Sequence, residues 1–148
     1  MGKVYEQVRM FKAKYPHTIT WFRLRKHAAV VEKHLNPDEE ALYSFCGQKN
    51  DSFIDFFGTG VITLTNKRIL IGRKRVLFGY FLNSITPDLY NDLKIHSGLI
   101  WGKVNIDTVK ERFVISNISN DALREIETRI SSYMMEMKKE FFHNKEQD

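Results

Sequence analysis

The feature that most constrains this chain is an alternation of apolar and polar residues between residues 41 and 118. A period of two is typical of β-strands that bury one face of a sheet, because successive side chains point to opposite faces. Turn-prone residues divide this region into seven predicted strands. In chain order they are ALYSFCG, FIDFFGTGVITLT, KRILIGR, VLFGYFLNSI, LKIHS, GKVNIDTV and RFVISNI. We expect an antiparallel sheet with one face in the core and the other mostly in water, and short hairpin connections at Asn66-Lys67 and Arg73-Lys74.

Two helices are predicted before the strands. The first ends at Pro16, and the second begins near Thr18 or Thr20, either of which can cap it. Their apolar stripes consist of Val4, Val8 and Phe11 in the first and of Leu24, Ala28, Val31 and Leu35 in the second. Such stripes need a covering surface, either the sheet or another chain. We treat residues 1–36 as an N-terminal helical extension and residues 37–148 as the main domain.

After Ile118 the helical period returns and predicts a C-terminal amphipathic helix. Its apolar face consists of Leu123, Ile126, Ile130, Tyr133, Met137 and Phe141. A helix with one apolar face can close the mouth of a curved, open sheet. The last segment, KKEFFHNKEQD, is polar enough that we expect it to fray.

Composition and charge restrict the classes of function. The 148 residues suffice for one well-buried core, and no run approaches the roughly 20 uncharged apolar residues that a membrane-spanning helix needs. The charged N-terminal segment lacks the pattern of a signal peptide, so we expect a cytoplasmic protein. Cys46 is the only cysteine, which excludes an intramolecular disulfide and a cysteine-based metal cluster. The net charge of +5 and the pI of 9.3 favour acidic partners, either phospholipid headgroups or nucleic-acid phosphates.

Three segments carry a resemblance to a known family. GVITLTNKRILI, ITPDLYNDL and SGLIWGKVNI, with the strand count and the terminal helix, resemble the bacterial pleckstrin-homology-like (PH-like) domains, and within them the YokE-like branch. The resemblance covers about residues 38–135. It implies an α+β fold, a partly open seven-stranded antiparallel barrel of two nearly orthogonal sheets, with a helix near residues 120–138 that closes one end. It also implies a binding or assembly module with no catalytic residues. We expect no cofactor.

Basic residues lie at two turns. Lys67 and Arg68 either form an anion-binding edge or fix the hairpin, with Arg68 bound to turn carbonyls or paired with a carboxylate. Arg73, Lys74 and Arg75 are three consecutive charges that we place on a hairpin tip. They form either a solvated turn or a patch for phosphate or lipid headgroups.

The chain lacks the basic turn by which eukaryotic PH domains bind phosphoinositides. The corresponding turn between the first two strands is GQKNDS, with Lys49 as its one cation and Asp51 close by. This departure argues against specific phosphoinositide binding and leaves a general attraction to anionic membranes.

Apolar residues lie at two further turns. Leu99, Ile100 and Trp101 occupy one turn, and Phe53, Phe56 and Phe57 occur in FIDFF. If exposed, these residues indicate an interface or a membrane wedge; if buried, they belong to the core.

No arrangement of residues in the sequence indicates catalysis or metal binding. His27 and His34 lie seven residues apart on one predicted helix, but a metal site needs a third ligand. Ser-His-Asp order, a glycine-rich phosphate loop and HExxH are all absent from the sequence. We therefore expect a protein that is not an enzyme.

The predicted function is a cytoplasmic adaptor that binds a protein partner or itself. The candidate surfaces are a strand edge, the basic hairpin and the turn at Trp101, and a homo-oligomer would cover helices that the barrel left exposed. The alternative is peripheral binding to an anionic membrane through the basic hairpin. Nucleic-acid binding ranks last, because the basic residues are dispersed without an aromatic platform among them.

Overall fold

The computed structural model describes residues 2–20, 24–49, 59–75 and 78–147. Its helices and strands are α1 (Lys3–Lys14), α2 (Leu24–Lys33), β1 (Ala41–Lys49), β2 (Thr59–Thr65), β3 (Ile69–Lys74), β4 (Tyr80–Ile85), β5 (Tyr90–Ser97), β6 (Trp101–Thr108), β7 (Arg112–Ser119) and α3 (Asn120–Gln147). The seven antiparallel strands, the N-terminal helical pair and the C-terminal helix confirm the predicted order. Residues 53–57, which were assigned to the second strand, lie outside the described residues.

The seven strands form one curled sheet in the order β4-β3-β2-β1-β7-β6-β5. β1 pairs with β2 from Ala41 to Gln48, but its pairing with β7 involves only Gln48 and Lys49. The sheet therefore turns a corner at β1 and forms a half-barrel with β4 and β5 at its edges. Helix α3 packs against β5, β6 and β7, and buries Leu123, Ile126, Ile130 and Met134 in the core.

Strands β2 and β3 are buried on both faces, which corrects the expectation of a wet outer face. Every residue of β2 is buried, including Thr59, Thr63 and Thr65. The cover is the N-terminal helical pair, which packs on β1, β2 and β3. Buried threonines are tolerated because their hydroxyls are bonded: Thr63 Oγ1 lies 2.9 Å from Ser44 Oγ, which donates to Gln7 Oε1 of α1 at 2.7 Å.

A glycine allows α2 to approach β3 closely. A Cβ atom at Gly72 would lie 2.7 Å from Val31 Cγ2, which is closer than carbon atoms tolerate. The apolar stripes of both N-terminal helices, including Val8 and Val31, belong to the same core as the sheet. The sheet of the same chain therefore covers these stripes. They give no reason to expect a homo-oligomer, and self-association stays a prediction.

Several boundaries differ from the predicted ones: α2 begins at Leu24, beyond Thr18 and Thr20, and β5 begins at Tyr90, before Leu93. Arg73 and Lys74 lie inside β3, and the connection to β4 runs from Arg75 to Gly79, whose φ of +76° suits glycine. Helix α3 continues past residue 138 to Gln147, through a segment that is rich in good helix formers, and the fraying of its end stays a prediction.

Glu125 joins α1, β1 and α3. Its Oε1 accepts from Lys14 Nζ at 2.7 Å and Tyr15 Oη at 3.1 Å, and its Oε2 accepts from Tyr43 Oη at 2.7 Å. Burial alone would raise the pKa of this carboxyl, but the hydrogen bonds from Lys14, Tyr43 and Tyr15 lower it below its ordinary value. The carboxylate form therefore stabilises the contact of the N-terminal helix with the rest of the fold.

Candidate functional site

Lys67 and Arg68 are both paired with carboxylates. Lys67 Nζ lies 3.2 Å from Asp38 Oδ2 on the surface. Arg68 Nε and Nη2 donate to Glu39 Oε2 and Oε1, each at 3.0 Å, and the Glu39 side chain has no exposed surface. Nη2 also donates to the carbonyl of His34 at 3.1 Å. The Arg68 side chain thus ties the β2–β3 turn to the segment after α2.

Glu39 is held as a carboxylate in this cluster. Burial alone would raise its pKa, but hydrogen bonds from Arg68, from the Thr65 hydroxyl and from the backbone amide of Asn36 lower it below the ordinary value. The charges of Lys67 and Arg68 are therefore locally balanced, and their geometry serves the turn.

The three charges at residues 73–75 point in two directions, because they follow the alternation of an extended strand. Arg73 and Arg75 lie on one side, with their Cζ atoms 4.6 Å and 5.0 Å from the centroid of the Phe81 ring. Arg73 is buried and Arg75 is exposed. Lys74 faces the other side, toward α2. The structure thus brings aromatic and basic side chains together here, which the sequence did not indicate.

Lys74 lines a pocket between α2 and the β3–β4 hairpin, which we call the α2–hairpin pocket. Its volume is about 530 Å³. It is lined by Lys26, Ala29, Val30, Lys33, His34, Lys74 and Tyr80. Lys26 and Lys33 are seven residues apart on α2, a spacing that puts both on one helix face. The pocket therefore has lysines on both of its walls.

Two histidines fix the walls of this pocket. The backbone amide of Lys74 donates to His27 Nδ1 at 2.9 Å, which joins β3 to α2. His34 Nδ1 lies 2.6 Å from the carbonyl of Val30, and its Nε2 lies 3.0 Å from Tyr80 Oη. Since a carbonyl only accepts, Nδ1 carries the proton of neutral His34, and Tyr80 donates to Nε2. The described residues contain no cluster of three metal-ligating side chains.

No acidic side chain among the described residues pairs with the lysines of the pocket. No carboxylate lines the pocket, and within the described ranges Lys26, Lys33 and Lys74 take part in no ion pair. Lys3, Lys14 and Lys67, in contrast, each pair with an acidic side chain. The positive potential of the pocket is therefore not cancelled locally.

Aromatic side chains protrude beside the pocket at what we call the hairpin tip, formed by Arg75, Phe78, Tyr80 and Phe81. Phe78 is 81% exposed, Tyr80 51% and Phe81 38%. A phenylalanine this exposed at the tip of a hairpin gains no stability from packing within the chain. It is therefore available to an external surface.

The turn between β5 and β6 presents a second apolar surface. Leu99 is fully exposed, and Ile100 and Trp101 are about half exposed, at 49% and 41%. The Trp101 indole N–H donates to the carbonyl of His17 at 2.6 Å, and the amide of Asn120 donates to Ile100 at 3.0 Å. This turn is thus tied to the rest of the chain. Phe53, Phe56 and Phe57 lie outside the described residues.

The sequence model of the bacterial PH domain family matches residues 35–132, more than half of the chain. The chain belongs to this family. No curated protein matches it. Among solved structures it is similar to the pleckstrin homology domain of Shewanella amazonensis SB2B, at 11% identity and a TM-score of 0.46, over 87% of this chain and 98% of that one. The predicted membership in the bacterial PH-like domains is confirmed, and the YokE-like branch remains a prediction.

PH domains generally serve as binding modules and are generally non-catalytic, which agrees with the coarse prediction of function. In the described part of this PH domain, no helix has both the length and the apolar character needed to span a membrane.

Sequence reasoning missed most residues of the candidate site, among them Lys26, Lys33, His34, Phe78, Tyr80 and Phe81. For the two lysines, their spacing of seven in the second predicted helix was the one available signal. Their approach to β3 and β4 is a tertiary contact, which a local pattern does not contain.

Proposed function

We propose that this PH domain is a non-enzymatic module that binds peripherally to anionic membrane surfaces through the hairpin tip. The observation that supports the proposal most is the exposed aromatic cluster of Phe78, Tyr80 and Phe81 beside pocket lysines that take part in no ion pair within the described ranges. Stable attachment to a membrane usually needs two signals, an apolar group that inserts and a basic patch that attracts anionic lipids. The hairpin tip provides the apolar group, and the α2–hairpin pocket provides the basic patch.

The expected energies are sufficient for reversible binding. Burial of a phenylalanine side chain contributes about 1.5 to 3 kcal/mol. Each basic residue near an anionic surface contributes about 1 kcal/mol. Phe78, Arg75 and the pocket lysines would together give an affinity in the micromolar to millimolar range, which suits a module that cycles on and off a membrane.

Flotation of the wild-type protein with vesicles tests the proposal. Neutral phosphatidylcholine vesicles are compared with vesicles that also contain phosphatidylglycerol, at low and at physiological salt. We expect binding to the anionic vesicles, weakened by salt because charged contacts are screened. Equal binding to neutral vesicles, or none to either, would refute the proposal.

Variants locate the contact. Phe78→Ala and Arg75→Gln should each weaken anionic-vesicle binding, by roughly thirtyfold and fivefold respectively. Matched controls are Phe142→Ala, which removes a 48% exposed phenylalanine on α3, and Lys139→Gln, which removes an exposed lysine of the same helix. If the controls weaken binding as much as the hairpin variants do, the hairpin tip is not the contact.

A second candidate function is self-association through the β5–β6 turn, favoured by the full exposure of Leu99 on a turn that hydrogen bonds hold in place. Light scattering over a range of protein concentrations tests it. A dimer that dissociates in Leu99→Ser would support it, and a monomer at all concentrations would contradict it.

Nucleic-acid binding is tested with a labelled single-stranded oligonucleotide; we rank it below membrane binding because Phe78 projects from a tip and does not line a groove on which bases stack.

A further inference from the structure

We propose that the α2–hairpin pocket is a binding site for a phosphate monoester group. The inference rests on the proposed function and deepens it, because it assigns to the same surface a preference for a dianionic headgroup over a singly charged one. The ligand is defined by its chemistry, a terminal phosphate on a small alcohol or a lipid. Both sources carry the same group.

The placement of the lysines supports a single bound anion. Lys26 and Lys33 approach from α2, and Lys74 approaches from β3 on the opposite wall. Lys74 is half-buried, and its backbone is held to α2 by the bond to His27. Cations that converge from two elements on one volume, with no acidic side chain in its lining, create a focused positive potential.

The chemistry of these residues favours a phosphate monoester over other anions. A monoester carries a charge of about −1.5 to −2 at neutral pH and three terminal oxygens. Three ammonium groups can each donate to one of those oxygens, and charge-assisted hydrogen bonds of this kind are the strong ones. A phosphodiester or a carboxylate offers one charge and two free oxygens, so it would leave one lysine unmatched. The described residues that line the pocket offer no carboxylate oxygen, the ligand that a divalent cation prefers, so they fit an anion better than a metal ion.

The remaining lining residues have supporting roles. Ala29 and Val30 form an apolar floor, which lowers the local dielectric and strengthens the charge interactions above it. Tyr80 is a positioning residue: its hydroxyl donates to His34, so its oxygen can accept from a lysine but has no proton for a phosphate. The volume of about 530 Å³ accommodates a phosphate and part of the group that it esterifies.

The pocket unites two parts of the chain. Helix α2 precedes the segment that matches the family, residues 35–132, whereas Lys74 and Tyr80 lie within it. The site is therefore a property of this chain and is not implied by the family match.

Titration with a soluble phosphate tests the pocket without a membrane. Inorganic phosphate, and separately glycerol 3-phosphate, is added at constant ionic strength while amide chemical shifts are recorded by NMR. We expect saturable shifts centred on Lys26, Lys33 and Lys74. The double variant K26Q/K33Q should bind about thirtyfold more weakly, which corresponds to about fivefold for each lysine. The control K139Q/K145Q removes the same charge from exposed positions on α3 and should leave the titration unchanged.

Vesicle binding distinguishes a lipid headgroup from a free phosphate compound. Vesicles with phosphatidic acid, whose headgroup is a phosphate monoester, are compared with vesicles that carry enough phosphatidylglycerol to match their surface charge. We expect tighter binding to phosphatidic acid. K26Q/K33Q should abolish that preference and also weaken the binding to phosphatidylglycerol, whereas Phe78→Ala should weaken both and leave the preference in place. Circular dichroism of each variant verifies that it is folded.

The outcomes separate the inference from the proposed function. Phosphate binding at the pocket without a preference for phosphatidic acid supports the site and assigns it to a soluble ligand. Phosphate binding with no vesicle binding at all supports the site and refutes membrane docking. The inference is overturned if phosphate does not bind at the pocket and vesicles with phosphatidic acid bind no more tightly than those with phosphatidylglycerol, or if K26Q/K33Q and K139Q/K145Q behave alike. Membrane docking would then still stand if phosphatidylglycerol vesicles bind the protein and Phe78→Ala releases it.

Discussion

Replacement of Arg68 by alanine should destabilise the fold far more than the same change at its neighbour Lys67. In Arg68→Ala the Glu39 carboxylate, which has no exposed side-chain surface, loses two hydrogen bonds of 3.0 Å and its compensating charge. Removal of one partner of a buried pair costs about 3 to 5 kcal/mol. Thr65 and the amide of Asn36 still donate to Glu39, so we expect about 3 kcal/mol, the lower end of that range.

Lys67→Ala is a matched control. It removes a positive charge one residue away, but its partner is Asp38, and the two side chains are 51% and 70% exposed. Exposed pairs of this kind contribute at most about 1 kcal/mol. The free energy of unfolding is measured by urea titration with far-UV circular dichroism. The variants are compared by their urea midpoints only if the slopes of their unfolding free energies against urea concentration agree.

A third variant tests the physical reason. The double substitution E39L/R68M removes both charges and should recover most of the stability that Arg68→Ala loses, because no uncompensated charge then remains. If Arg68→Ala is within about 1 kcal/mol of Lys67→Ala, the cluster does not support the turn, and our reading of its hydrogen bonds is wrong.

Three further predictions follow from buried groups. Folding lowers the pKa values of Glu39 and Glu125, so the stability that the two carboxylates give the fold is complete above their ordinary pKa of 4.5 and is lost as the pH falls below it. The urea midpoint should therefore decline below pH 4.5, and less steeply in Glu125→Gln. Gly72→Ala forces a Cβ to within 2.7 Å of Val31 Cγ2, so we expect a loss of about 1 to 3 kcal/mol in thermal or urea unfolding, relieved in part by Val31→Ala. Burial raises the pKa of the Cys46 thiol to about 12, so a thiol reagent should react with it only as fast as the protein unfolds, and faster with increasing urea.

Much of the fold could be predicted because its signals are local. Alternation identified the strands, since a strand that buries one face shows it in its own sequence. The stripe of Val4, Val8 and Phe11 identified α1, and all three residues are buried. The burial of both faces of β2 was not predicted, because Thr63 and Thr65 look like exposed residues; the N-terminal helical pair covers β2, and bonds to distant side chains satisfy their hydroxyls.

The candidate site was less predictable than the fold. Three consecutive basic residues suggested one patch, but strand geometry sends Arg73 and Arg75 to one side and Lys74 to the other. The partners of Lys74 on α2 lie more than 40 residues earlier in the chain, and nothing in either segment indicates the other. Fold patterns are local, whereas a binding site depends on which distant segments meet.

The position of α2 has a consequence for how ligand choice can change in such domains. One wall of the pocket belongs to the barrel, and the other is a ten-residue helix that precedes it and rests on Gly72. Exchange of the outward-facing residues of that helix would alter the pocket's charge and leave the sheet, its turns and its core untouched. We expect ligand specificity in domains of this design to change through substitutions in the helix that precedes the barrel. A chain with the same barrel and acidic residues in place of Lys26 and Lys33 would reject phosphate while folding just as well.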